Sequence, residues 1–196
     1  MNWGVNVPSQ YKFTSYSNFA FNEVIGIALN GVPIYPGRNK DLYDYLQPKA
    51  YPADTNALQA SNVDICLGEI DGSLYHYRGY SPCILGSILN DLAMLCSANQ
   101  GCSNGYHKYL EYYDSSLDRA LIPIGVARDG RRIIGPYDSN GNYWQPCDVD
   151  FCNGLYINGE YVYAATVFFP YITSCYGPSN NGMLIPSCSS NPRVCF

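Results

Sequence analysis

The sequence has little of what most catalytic and nucleic-acid-binding domains rely on. Only 14% of its residues are charged, against about 25% in an average globular domain. There are two histidines, His76 and His107, and no basic run. The net charge is −5. A duplex or an anionic membrane surface needs clustered Lys and Arg, so nucleic acid is excluded as an expected partner. No CxxC pair occurs, which together with two histidines argues against a zinc framework. No nucleophile elbow, phosphate loop or dinucleotide fingerprint is present. The longest uncharged apolar run, YVYAATVFFPYITSCY, contains Pro170 and is too short to span a bilayer. The start of the chain has neither the basic residues nor the apolar block of a signal peptide. None of the asparagines lies in an N-x-Ser/Thr sequon, so N-linked sugar is not expected, while O-linked glycan stays open.

What is present is cysteine, tyrosine and turns. Nine cysteines in 196 residues point to disulfides in an oxidising, extracellular compartment. The odd number leaves one thiol free or bonded to another chain. Twenty tyrosines suit packed surfaces, because each buries a ring and keeps a polar tip. Asn30-Gly31, Asp71-Gly72, Asp129-Gly130, Asn140-Gly141 and Asn158-Gly159 are hairpin-turn dipeptides. Their flanks are β-branched or aromatic, as in IGIALNGVPIY, IGVARDGRRII and LYINGEYVYAATVFF. The fold class expected is mainly β: an antiparallel sheet of hairpins braced by disulfides. One amphipathic helix is expected over about 83–96, where Ile84, Leu85, Ile88, Leu89, Leu92 and Leu95 recur at helical spacing. The stretch NGYHKYLEYYDSSLDRA fits either a short helix or an irregular loop.

The chain also repeats itself. IGIALNGVPIYPG (25–37) resembles IGVARDGRRIIGP (124–136), VDICLG (63–68) resembles VDFCNG (149–154), and DGSLYHYR (71–78) resembles NGEYVYAA (158–165). A cysteine follows each tyrosine strand. The repeat suggests matching bridges, Cys66–Cys83 and Cys152–Cys175. Cys96, Cys102, Cys188 and Cys195 are also expected in bridges, with Cys188–Cys195 one option for a strapped-down tail. The core should include Ile25, Ile27, Leu29, Ile84, Ile88, Leu92, Ile124, Val126, Val167 and Phe169.

These blocks, taken in order, resemble the YHYH domain family over about residues 25–177. The resemblance implies a widespread, often secreted domain with no established activity. Its eponymous strand, Tyr-His-Tyr-His, is usually present twice. Here the copies read Tyr75-His76-Tyr77-Arg78 and Tyr161-Val162-Tyr163-Ala164. The tyrosines persist and three of four histidines are replaced. A histidine metal site needs several imidazoles on one ion. His76 is therefore expected to be structural, and Arg78, two residues on and on the same strand face, opposes a bound cation. Family members also commonly carry a strand-forming segment ahead of the first block. In this chain residues 1–24 form an uncharged-rich arm instead. Val5, Val7, Tyr11, Phe13, Tyr16, Phe19 and Phe21 are its candidate interface residues.

Two further features bear on function. Asp138, Asn140 and Asn142 mimic the start of a calcium loop, with Asp148 and Asp150 nearby. The sixth position is Tyr143 rather than Gly and the twelfth is Val149 rather than Glu, so a turn is the simpler reading and no cofactor is expected. The tail, 179–196, is either an ordered terminus or a segment that runs over a neighbouring molecule. The domain division expected is thus arm 1–24, β domain 25–178 and tail 179–196. The expected function is an extracellular, non-enzymatic structural protein that associates with itself into a filament or fibre by strand or tail exchange. The alternative is a secreted metal- or small-ligand-binding domain centred on His76 and the Asp138–Asp150 loop.

Overall fold

The computed structural model describes residues 19–38, 63–64, 66–70, 72–85 and 119–177. They form one eight-stranded sheet. Its strands are β1 (Gly26–Ala28), β2 (Pro33–Ile34), β3 (Gly68–Ile70), β4 (Tyr75–Tyr77), β5 (Pro123–Ala127), β6 (Arg132–Ile134), β7 (Gly154–Ile157) and β8 (Glu160–Ala164). A 3-10 turn, Pro82–Leu85, stands where the amphipathic helix was expected to begin. The rest of that segment lies outside the described residues, as do Ile88 and Leu92.

The spatial order β3-β4-β2-β1-β5-β6-β8-β7 is a palindrome of the two halves. Strands β1 and β5 meet antiparallel at the centre, with Ile27 opposite Val126, and a pseudo-two-fold axis passes between them. Outward from this pair the halves match strand for strand. Each half contains one parallel pairing, β2 with β4 (Ile34 opposite Tyr77) and β6 with β8 (Ile133 opposite Tyr163). The sheet is therefore mixed, not purely antiparallel. Parallel neighbours cannot be joined by a tight turn, and a long connection separates β2 from β4 and β6 from β8, so local turn signals could not reveal the pairing.

All five turn dipeptides place their glycine at positive φ, between 77° and 91°. At Asn158-Gly159 both residues are left-handed, with φ of 52° and 82°, as a two-residue hairpin of the primed type requires. Gly26 and Gly125 serve a different purpose. A Cβ on Gly26 would come within 2.9 Å of the Val126 carbonyl oxygen, and one on Gly125 within 2.6 Å of the Ile27 carbonyl oxygen. The seam between the halves is that close, and only glycine fits on either side of it.

The main core lies on the tyrosine face of the sheet and includes Ile25, Ile34, Tyr77, Ile124, Ile133, Tyr161, Tyr163 and Ile172. Ile84 joins it as expected. Ile27, Leu29, Val126 and Phe169 do not: they are 54%, 56%, 46% and 42% exposed. Val167 is half-buried. The error is one of phase. On both central strands the small residues, Ala28 and Ala127, point inward, because the large tyrosine rings fill the volume over them. A second, smaller core on the opposite face gathers Ile134, Trp144, Val149, Val162, Ala164 and Phe168. Val162 and Ala164 alternate with Tyr161 and Tyr163, so one strand feeds both cores.

The bridges Cys66–Cys83 and Cys152–Cys175 are both present, with Cα–Cα distances of 5.4 and 4.9 Å. Cys147, which the repeat did not assign to a bridge, is also disulfide-bonded. Cys96, Cys102, Cys188 and Cys195 lie outside the described residues. Phe19 is buried in the main core and packs edge-on against Tyr176, centroids 4.7 Å apart. The last residues of the expected arm are thus part of the protein's own packing. Val5, Val7, Tyr11, Phe13 and Tyr16 lie outside the described residues.

Candidate functional site

The repeated Val-Asp-x-Cys-x-Gly loop builds the same device in each half. Asp64 Oδ1 accepts hydrogen bonds from the amides of Cys66 and Gly68, both at 2.9 Å, and Oδ2 accepts from the Tyr75 hydroxyl at 2.8 Å. Asp150 Oδ1 accepts from the amides of Cys152 and Gly154, both at 2.8 Å, and Oδ2 accepts from the Tyr161 hydroxyl at 2.7 Å. A Cβ on Gly68 or Gly154 would overlap the hydroxyl of Tyr75 or Tyr161 respectively, which fixes glycine at those positions. The second tyrosine of each strand reaches the turn of the first hairpin. Tyr77 Oη accepts from Asn30 Nδ2 at 3.1 Å, and Tyr163 Oη donates to Asp129 Oδ2 at 2.6 Å. Each tyrosine strand is thus pinned at its two hydroxyls and by a disulfide.

Burial raises the pKa of five phenols. Tyr80, beside Tyr137, and Tyr176 are pushed up to about 12, and Tyr75, Tyr161 and Tyr163 rise as well, through burial first and their carboxylate partners second. A raised folded value means stability is intact below the free phenol's value, about 10, and is lost as pH climbs through the folded one. Alkaline titration is expected to show the phenolate absorbance of these rings emerging together with loss of near-ultraviolet circular dichroism. Complete ionisation near pH 10 in a still-folded protein would contradict the packing described.

The non-tyrosine face of β4 carries His76 and Arg78, which are 0% and 1% exposed. Glu69, opposite His76 on β3, sits between them. Arg78 Nε binds Glu69 Oε1, and Arg78 Nη1 donates to the carbonyls of Phe21, Pro36 and Arg38 at 2.7, 3.0 and 2.7 Å. Tyr35 stacks on the His76 ring, centroids 4.0 Å apart, and lies 5.6 Å from the Arg78 guanidinium carbon. His76 Nδ1 faces the Leu74 carbonyl at 2.9 Å, so Nδ1 carries the proton. Nε2 lies 3.4 Å from Glu69 Oε1 without an aligned hydrogen bond. The guanidinium occupies the Glu69 oxygen that a cation bridging Glu69 and His76 would need. At the matching positions of the second half stand Leu155, Val162, Ala164 and Ile134, the second core. One face position is therefore built twice, once from ions and once from hydrocarbon.

A family model described as YHYH protein matches residues 5–177. The chain belongs to the YHYH family. No curated protein and no solved structure matches it. The match begins well ahead of residue 25, so the YHYH region takes in most of the segment read from sequence as a separate arm. In the first YHYH strand the position of the second histidine is held by Arg78, the hub of the ion cluster. In the second strand both histidine positions are aliphatic and belong to a core.

The remaining candidates do not converge with His76. Asp138 Oδ1 accepts from the amides of Asn140 and Asn142, both at 2.8 Å, closing a turn bracketed by the Tyr137–Tyr143 bridge. Those amides hold the Asp138 carboxyl below its ordinary pKa. Asp148 Oδ2 accepts from the Gln145 amide at 2.6 Å, and Asp150 is the buried loop anchor already described. Among the described residues no three His, Cys, Asp or Glu side chains gather as a metal site. No helix among them is long and apolar enough to cross a membrane. His107 lies outside the described residues. Sequence reasoning missed Glu69, Asp64, Asn30 and Asp129. The recurrence of Asp64 as Asp150 within the repeat was the signal available for the anchors.

Proposed function

We propose that this YHYH domain is an extracellular, non-enzymatic structural protein whose copies associate, ultimately into a filament or fibre. The observation that carries this reading is the placement of exposed apolar residues. Ile70 on β3 and Tyr156 on β7 are 69% and 52% exposed, and these are the two outermost strands of the sheet. A contact between one molecule's β3 end and the next molecule's β7 end is heterologous, so it propagates as a filament wherever the rotation between copies does not close a ring. The reactive side chains support the same reading from the other direction. His76, Glu69, Arg78, Asp64 and Asp150 are all engaged in holding the scaffold. Strand or tail exchange, the route expected from sequence, involves residues outside those described.

The test is the state of the native protein. Light scattering and negative-stain microscopy of oxidised, purified protein are expected to show concentration-dependent assemblies. Monodisperse monomers at high concentration would refute the reading. The alternative, a secreted metal- or small-ligand-binding domain, draws on the unpartnered His76 Nε2. Stoichiometric metal in elemental analysis of the same monomers would favour it.

A further inference from the structure

Among the described residues Tyr156 is the one exposed tyrosine. It lies on the outermost strand, where another molecule can approach its ring. Behind it runs a ladder of buried rings. Tyr156 is 5.4 Å from Tyr161 and Tyr161 is 5.5 Å from Tyr163, centroid to centroid. Both buried phenols donate to carboxylates, Tyr161 to Asp150 and Tyr163 to Asp129. Each can therefore lose an electron while its proton moves along an existing hydrogen bond, leaving a neutral radical without help from bulk water. Arg131, whose guanidinium carbon is 5.4 Å from the Tyr161 ring, opposes a cationic ring but not a neutral one. Tyr161 and Tyr163 are 5% and 0% exposed, so they can hold a radical but cannot couple to another molecule. The first half lacks this arrangement. Ile70 stands where Tyr156 does, and the Asn30 amide, no proton acceptor of comparable strength, stands where Asp129 does.

We propose that Tyr156 is an oxidative cross-linking site and that the ladder behind it shares and prolongs its radical. The oxidant is of the peroxidase and hydrogen peroxide class. Two Tyr156 phenols from separate molecules each lose one electron and one proton. The radicals join through a new carbon–carbon bond between ring positions next to the hydroxyls, and the ring hydrogens there shift to oxygen as the rings become aromatic again. One peroxide takes up the two electrons and two protons and leaves as two waters. The coupling requires only encounters in solution, so it stands or falls separately from the association proposed above.

The experiment treats the oxidised full chain with a haem peroxidase and hydrogen peroxide. Expected are a covalent dimer that survives reduction, blue dityrosine fluorescence, and a cross-linked peptide joining Tyr156 to Tyr156. Tyr156→Phe is expected to lose that peptide and to lower the yield of dimer. Ile70→Tyr, which places a phenol at the other exposed edge, is expected to add cross-linked peptides that contain position 70. Tyr156→Phe protein that cross-links as readily as the wild type, or links that map only to other tyrosines, would overturn the assignment. Freeze-quenched paramagnetic resonance tests the ladder: radical is expected on hydrogen-bonded buried rings as well as on Tyr156, and a signal confined to one exposed phenol would remove the ladder.

Discussion

Arg78→Met is expected to lower the unfolding free energy by about 3–5 kcal/mol, the range for breaking a buried ion pair by removing one partner. The substitution removes the guanidinium that meets the Glu69 carboxylate, only 10% exposed, and it strips three backbone carbonyls of that donor. With total stability of roughly 5–15 kcal/mol for a domain, this is a large share, and urea denaturation will read it as a lower midpoint. The second half of the molecule supplies the control. There the same face is Leu155, Val162 and Ala164, so a combined Glu69→Leu, His76→Val and Arg78→Ala variant removes these three polar side chains together. It is expected to recover much of what Arg78→Met loses, because paired removal avoids an orphaned buried ion. A combined variant as unstable as Arg78→Met would mean that the carbonyl contacts, not the ion pair, dominate.

Asp150→Ala is expected to cost about 3 kcal/mol, since hydrogen bonds to a charged acceptor contribute about 1.5–3 kcal/mol each and are not additive. Two amides and the Tyr161 hydroxyl lose their shared acceptor inside the protein. Asp64→Ala deletes the same three bonds in the other half, yet Asp64 is exposed where Asp150 is buried. Water can replace the lost carboxylate there, so the expected cost is only about 1 kcal/mol. Paired denaturation curves of the two variants measure the difference. Equal losses would show that burial does not set the worth of this anchor.

These two expectations also mark what could be read from the chain beforehand. The repeat placed Cys66–Cys83 and Cys152–Cys175 correctly because each bridge spans one local unit, and the five glycine turns fixed the hairpins for the same reason. Ile27 and Val126 were misplaced because the seam reverses intuition: close strand approach demands glycine and alanine inward, which turns the branched residues out. Glu69 was invisible as a partner of His76 and Arg78, since its meaning depends on cross-strand register. Asp64 and Asp150 looked alike in sequence and differ only in what packs around them. Tyr156 gave no signal either, because exposure of one ring among many is decided by strand order.

The aspartate anchors do one more thing. On each outermost strand the first amide and carbonyl that point away from the sheet, those of Gly68 and Gly154, are already taken by Asp64 and Asp150. Among the described residues only a short rung, at Ile70 or Tyr156, remains to template a foreign strand. A low-charge, tyrosine-rich β protein with raw borders would be at risk of indiscriminate amyloid-like zippering. Among the described residues both borders are hemmed, so an approaching molecule meets side chains before free backbone.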